Sequence, residues 1–93
     1  MKRIIILRRA RDELERTYDY TAERWGLEQA ATYDRMIRER TEGLATGLTA
    51  SRRADDIAPG LRRALAGSHV VFFREDAQAV TVVRVLHERM DVG

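Results

Sequence analysis

The last third of the chain decides the fold: residues Gly60 to Asp91, with the sequence GLRRALAGSHVVFFREDAQAVTVVRVLHERMD. Two runs in it, VVFF and VTVVRVL, consist mainly of β-branched and aromatic residues, which suit a pleated, buried surface. The polar breaks GS and EDAQ have the length of hairpin turns. We therefore predict three strands joined by tight turns: Leu61–Ala66, Val70–Phe73 and Val80–Leu86.

The first half of the chain has the periodicity of helices, after a short apolar strand at Arg3–Leu7. Apolar residues recur every three or four positions in Arg8–Trp25 and again in Leu27–Leu48, which predicts two amphipathic helices. Only Gly26 separates them, so we expect an antiparallel helical hairpin. Thr49–Pro59 is polar and aperiodic and reads as a solvated loop of mixed charge.

The order strand, helix, helix and three strands predicts an α+β fold. In this fold, the helical hairpin covers one face of an antiparallel sheet. A chain of 93 residues makes one small domain, residues 1–93, of marginal stability.

Composition narrows the classes of function. The chain has no cysteine and a net charge of only +2, so a thiolate zinc site is excluded and nucleic acid binding is weakly supported. No apolar run has the length of a membrane span or of a signal-peptide core. We expect a cytoplasmic protein without a cofactor. His69 and His87 do not have the spacing of metal ligands, so we expect no metal site either.

Lys2 is the only lysine among 17 basic residues. Genomic base composition is the ordinary explanation for so many arginines. The functional alternative is the planar, bidentate recognition of carboxylate or phosphate, for which arginine is better suited than lysine.

No motif of an enzyme is present, but a metal-free ribonuclease is a possible alternative. Such an enzyme needs an acid, a base and arginines that stabilise phosphate charge. The candidates in this chain are Arg62, Arg63, Arg74, Arg84, His87 and Glu88. The competing interpretation is that the arginines at the strand ends pair with acidic neighbours.

The aromatic residues divide by their position on the helical faces. Tyr18 and Tyr33 lie on the apolar faces, whereas Tyr20 lies off its stripe and is the better candidate for an exposed contact. Trp25, the only tryptophan, is expected in the core; contact with a partner is the alternative, because tryptophan is enriched at binding hot spots.

The chain resembles the ParE branch of the RelE/ParE superfamily of toxin–antitoxin toxins over nearly its whole length. The residues that carry the resemblance are Arg9-Ala10, Leu14, Tyr20, Trp25-Gly26, Ala30, Tyr33, Pro59-Gly60-Leu61-Arg62, Gly67 to Arg74, Arg84 to His87 and Arg89-Met90-Asp91. Their order and spacing make the combination specific, although each piece alone is weak.

The resemblance implies a toxin held in a hetero-oligomeric complex by a ParD-like antitoxin. That antitoxin pairs a ribbon-helix-helix DNA-binding domain with a tail that wraps the toxin, so the toxin meets DNA only indirectly. ParE-like toxins act on DNA gyrase, whereas RelE-like relatives cut mRNA. The absence of a tyrosine after Tyr33 disfavours the RelE type. A histidine at position 87 is ordinary in the ParE pattern Arg-Val-Leu-His.

These implications lead to two predicted surfaces. We expect the end of the chain to contact the target through Arg84, His87, Arg89 and Met90. We expect the antitoxin to bind the outward parts of the helical hairpin and the first strand, at Tyr20, Trp25, Ile5 and Leu48. Under the ribonuclease alternative, His87 would act with Arg62, Arg74 and Arg84.

Overall fold

The computed structural model describes residues 2–90 and confirms the α+β architecture. The elements in chain order are β1 (Arg3–Ile6), α1 (Arg8–Trp25), α2 (Leu27–Thr46), β2 (Arg52–Arg53), β3 (Arg62–Ala66), β4 (His69–Glu75) and β5 (Ala79–His87). The strands form one sheet in the order β1-β5-β4-β3-β2. The predicted bounds of α1 are those observed, and α2 ends two residues earlier than predicted.

The sheet is mixed, which corrects the prediction of a wholly antiparallel sheet. β3, β4 and β5 pair antiparallel, as the hairpin turns between them require. β1 instead runs parallel to β5, with Arg3 opposite Ala79 and Ile6 opposite Val82. Nearly the whole chain separates these two strands, so no hairpin constrains them to run in opposite directions.

The helical hairpin covers one face of the sheet, as predicted. The core on this face joins Ala10 and Leu14 of α1 and Ile37 and Leu44 of α2 to buried side chains of the sheet. The sheet residues of this core are Ala64, Ala66, Val71, Phe73, Val80, Val82 and Val85. Apolar side chains at helical spacing on α1 and α2 therefore meet the strand runs that decided the fold.

The segment between α2 and β3 covers the other face of the sheet. Its charged residues are exposed, as predicted, but the prediction of a solvated loop was wrong for Thr49 and Ala54, which are buried. Ala54 is completely buried and packs with Leu61, Phe72 and Leu86 in a second core. The edge strand β2 lies in this segment and was not predicted, because arginine has no strand preference. Its pairing of Arg52 and Arg53 with β3 makes it a strand.

Gly67 is the glycine on which the packing of the β3–β4 turn depends. Its φ is +61°, and a Cβ atom there would lie 2.7 Å from Cε of Met36 and 2.9 Å from Oη of Tyr33. The flexible Met36 methyl group can move aside. The Tyr33 hydroxyl accepts a hydrogen bond from Ser68 N–H and bonds to His69, so it cannot move without breaking both.

We expect Gly67→Ala to destabilise the protein more than Gly47→Ala does. Both glycines have positive φ, so each substitution incurs about 1–2 kcal/mol of backbone strain. Overpacking should cost a further ~1–3 kcal/mol in Gly67→Ala alone. Apart from its chain neighbours and the backbone of α2, no atom of residues 2–90 lies within 4 Å of a Cβ at Gly47. Urea denaturation of the two variants measures the difference; equal losses of unfolding free energy would contradict the packing role of Gly67.

Candidate functional site

Residues 88–90, which follow β5, form a turn that hydrogen bonds hold in place. β5 ends at His87, after which Glu88 N–H donates to Ser68 C=O (2.8 Å) and Met90 N–H to His87 C=O (2.9 Å). Arg89 N–H lies 3.2 Å from Nδ1 of His87. We call His87, Glu88, Arg89 and Met90 the tail surface. His87 is half-buried, whereas Glu88, Arg89 and Met90 are exposed on a turn whose backbone is hydrogen-bonded to the sheet. Asp91 lies outside the described residues.

His87 stacks on the second histidine of the chain. His69 is its cross-strand partner, and the two rings meet edge to face with centroids 5.4 Å apart. Nδ1 of His69 lies 2.7 Å from Tyr33 Oη, and its Nε2 lies 3.3 Å from Thr17 Oγ1. Burial lowers the pKa of His69 below its ordinary value of 6.5, and the charge of His87 lowers it further, against a smaller opposing effect of Glu88.

Arg84 is engaged within the protein. Its guanidinium donates to Oε2 of Glu13 from Nη2 (2.8 Å) and Nε (2.9 Å). The other carboxylate oxygen of Glu13 accepts Val85 N–H at 2.9 Å. Glu13 is only 8% exposed, so this pair links α1 to β5 beneath the surface. Of the four residues predicted to contact the target, the structure brings His87, Arg89 and Met90 together and ties Arg84 to the helix.

The residues of the ribonuclease alternative do not converge. Arg62 donates to Ser51, and Arg74 donates to Pro59 C=O, so both arginines hold the segment before β3. Arg74 lies five residues along β4 from the partner of His87, which corresponds to roughly 16 Å of strand. The arginines therefore do not surround His87 as charge-stabilising groups would.

A second group of predicted site residues lies at the turn of the helical hairpin. Trp25 is 62% exposed and Tyr20 is 55% exposed, and their rings meet edge to face with centroids 6.3 Å apart. The guanidinium of Arg24 lies 5.5 Å from both ring centroids. We call Tyr20, Arg24, Trp25 and the exposed Leu27 the hairpin tip. The prediction that Trp25 packs in the core was wrong. Thr17 already meets His69 where β5 ends, and Trp25 lies roughly two helical turns further along α1.

Ile5 and Leu48 lie away from the hairpin tip. Leu48 is 86% exposed and follows the end of α2. The 20 residues of this helix place it roughly 30 Å from the tip. Ile4 and Ile6 pack against the helix-side core, so Ile5 points to the opposite face of the sheet. The four residues predicted to bind the antitoxin therefore form three separate patches.

The polar seam between α1 and the end of β5 was not predicted. Glu13 and Thr17 lie one position before Leu14 and Tyr18, and therefore beside the apolar stripe of α1. Their spacing of four residues puts them on one face, where they meet Arg84 and His69. The spacing of Glu13 and Thr17 predicts that they share a face of α1. It does not identify their partners on the sheet, Arg84 and His69.

The part of the chain that the structure describes has neither a cluster of metal ligands nor a membrane-spanning helix. Residues 2–90 contain no group of three or more His, Asp or Glu side chains arranged to hold a metal ion. None of the helices within these residues is long and apolar enough to cross a membrane.

Comparison with known proteins assigns the chain to a family. Residues 4–92 match the family model described as the ParE toxin of the type II toxin–antitoxin system parDE. The chain belongs to the ParE toxin family. This finding confirms the resemblance of the sequence and identifies the protein as a toxin of a ParDE type II system.

Two curated relatives of this ParE toxin have related sequences. Toxin ParE1 of Mycobacterium tuberculosis is 42% identical over 84 residues, which cover 89% of this chain and 86% of the relative. Toxin ParE1 of Caulobacter vibrioides is 37% identical over 91 residues, 98% of this chain and 94% of the relative. A solved structure of a chromosomal ParDE toxin–antitoxin system from P. aeruginosa has a TM-score of 0.79 at 22% identity, covering 94% of this chain and 96% of that one, and shows the same fold.

We expect Glu13→Ala to destabilise this ParE toxin strongly. The substitution leaves Arg84 mostly buried without its partner and Val85 N–H without an acceptor, at an expected cost of about 2–4 kcal/mol. Glu15→Ala, which removes an exposed carboxylate of the same helix, should change the unfolding free energy by less than about 0.5 kcal/mol. Urea denaturation measures the unfolding free energy of both variants. If Glu13→Ala loses as little as Glu15→Ala, Glu13 does not stabilise the protein through Arg84 and Val85.

The stability of the ParE toxin should depend on pH through His69. Because its pKa is lower in the folded state than in the unfolded state, the unfolded chain binds the proton more readily below pH 6.5. The contribution of His69 to the unfolding free energy should be greatest above that pH and should decrease as the pH falls toward about 5. The measurement is urea denaturation at several pH values. We expect His69→Asn to remove this dependence of the unfolding free energy on pH. His87→Asn should reduce it only partly, because burial lowers the pKa of His69 more than His87 does. An unchanged pH dependence in His69→Asn would contradict the role of His69.

Proposed function

We propose that this ParE toxin inhibits DNA gyrase through the tail surface and is neutralised by a ParD-like antitoxin. The target is the one that the family resemblance implies. The observation that carries the assignment of the surface is the fixed turn of residues 88–90, which presents Arg89 and Met90 beside His87. A pre-organised surface of this kind loses little conformational entropy on binding, which favours affinity.

Binding rather than catalysis accounts best for the arrangement of polar groups. His69 is engaged by Tyr33 and Thr17, and Arg84 is engaged by Glu13. The remaining arginines of the ribonuclease alternative hold the segment before β3. The toxin therefore acts by occupying a surface of its target, in the cytoplasm where gyrase works.

Expression of the chain without its antitoxin tests the proposal directly. Gyrase inhibition should arrest growth with broken DNA and filamentous cells, and co-expression of the antitoxin should restore growth. Normal growth with soluble, folded toxin would contradict the proposal. Codon-linked cuts in mRNA would replace it by the ribonuclease alternative.

The antitoxin contact is proposed at the hairpin tip, with Ile5 and Leu48 as outlying patches. Tryptophan, tyrosine and arginine are the residue types most enriched at binding hot spots, and all three meet at this tip. An extended antitoxin tail needs roughly nine residues to span the 30 Å from the tip to Leu48. A tail that wraps the toxin satisfies this geometry, whereas a single compact contact does not. The DNA-binding domain of the antitoxin would connect the complex to DNA.

Trp25→Ala should weaken antitoxin binding by about 10–100-fold, because it removes a hot-spot side chain worth about 2 kcal/mol. The matched control is Leu65→Ala, which removes an apolar side chain of similar exposure (56%) outside the proposed contacts. Isothermal titration of the purified toxin with antitoxin measures both. Equal affinities for the two variants would place the contact elsewhere.

Arg89→Glu combined with Met90→Ser should abolish growth arrest, because it reverses the charge and removes the apolar side chain of the exposed turn. Antitoxin affinity should change less than about threefold, since the hairpin tip is intact. The control for reversal of an arginine charge is Arg52→Glu, in the exposed edge strand β2, three strands away from β5. Colony counts after induction provide the measurement; undiminished killing by the double variant would refute the role of the tail surface.

A further inference from the structure

The hydrogen bonds around His69 form a chain with one consistent direction. Ser68 N–H donates to Tyr33 Oη (3.0 Å), so the tyrosine hydroxyl hydrogen is available for Nδ1 of His69 (2.7 Å). On the other side of the ring, Thr17 Oγ1 donates to Glu13 C=O (2.9 Å) and thus accepts from Nε2 of His69 (3.3 Å). Every hydroxyl donates once and accepts once when His69 is neutral and carries its proton on Nε2.

A charged His69 does not fit this chain. It would carry a proton on Nδ1 as well, and Tyr33 Oη would then accept two donors and lose the acceptor of its own hydrogen. The groups that face the ring come from α1, α2, β5 and the tail turn. They are Thr17, Tyr33, His87 and Glu88. The carboxylate of Glu13, on the same helix as Thr17, is bound to Arg84.

Two physical routes connect these bonds to the tail surface. The ring of His69 packs edge to face against His87, the first residue of that surface. The main chain of Ser68 is the second route, because its N–H donates to Tyr33 and its C=O accepts from Glu88 N–H. The position of the turn therefore depends on Tyr33 of α2 through both a side chain and a backbone group.

We infer that His69, held as the neutral Nε2–H tautomer by Tyr33 and Thr17, is a positioning residue that fixes the tail surface for its target. The inference rests on the proposed function insofar as the tail surface is the target contact. His69 itself is only partly exposed and is hydrogen-bonded at both ring nitrogens, so it acts through His87 and the turn. The tautomer and the order of the turn are properties of the chain itself and can be measured without the target.

The first test is nuclear magnetic resonance of the 93-residue chain labelled with ¹⁵N. At pH 7 we expect His69 to show a protonated Nε2 and an unprotonated Nδ1. In Tyr33→Phe, which removes only the hydroxyl group, we expect lower heteronuclear NOE values at residues 88–90 and shifted His87 ring signals. Tyr20→Phe, a hydroxyl removal at the hairpin tip, should leave both unchanged. A proton on Nδ1, or an unaltered turn in Tyr33→Phe, overturns the inference.

The second test is toxicity in cells alongside antitoxin affinity. His69→Phe keeps a ring but loses both hydrogen bonds, and we expect growth arrest to weaken at least tenfold while antitoxin affinity changes less than threefold. His69→Asn places an acceptor near the position of Nδ1 and should recover part of the toxicity. Wild-type toxicity in a folded His69→Phe variant overturns the inference. If His69→Phe does not fold, Tyr33→Phe takes its place under the same criterion. A wild-type toxin without toxicity would instead refute the proposed function and leave the resonance test to decide on His69.

Discussion

The carboxylate of Glu13 holds the part of the sheet on which the tail surface depends. β5 has nine residues and β1 has only four, so β1 pairs with the first part of β5 and the chain then turns into α1. Beyond that point, Glu13 accepts Val85 N–H in place of a strand and binds the guanidinium of Arg84. A buried carboxylate is costly unless it is paired and hydrogen-bonded, and here both oxygens have partners. One side chain of α1 thus fixes the strand that leads to the turn.

Much of the fold could be predicted from local patterns, because helical periodicity and strand runs are local properties. Leu14 and Ile37 pack where their spacing places them, and Val80 and Phe73 are buried as their residue types predict. The parallel pairing of β1 and the edge strand β2 depend on distant partners. No local pattern distinguishes Arg52 in an edge strand from Arg52 in a loop.

The candidate site was predictable only in part for the same physical reason. The stretch after β5 follows a buried strand and is mostly polar, which predicted an exposed surface, and the structure places Arg89 and Met90 there. Arg84 looked equally available, but its partner Glu13 is 71 residues away in the sequence. Trp25 lies on the apolar stripe of α1, which predicts a place in the core, but its ring is exposed at the turn of the helical hairpin. Composition and spacing identify candidate side chains, whereas their accessibility depends on tertiary contacts.

The toxin has its two proposed functional surfaces on different elements: the hairpin tip on the helices and the tail surface at the end of β5. Hydrogen exchange measured by mass spectrometry, on the free toxin and on its complexes with antitoxin and with gyrase, tests this separation most directly. We expect the antitoxin to protect residues 20–27 and gyrase to protect residues 84–90. Gyrase binding without protection of residues 84–90, or identical footprints of the two partners, would contradict it.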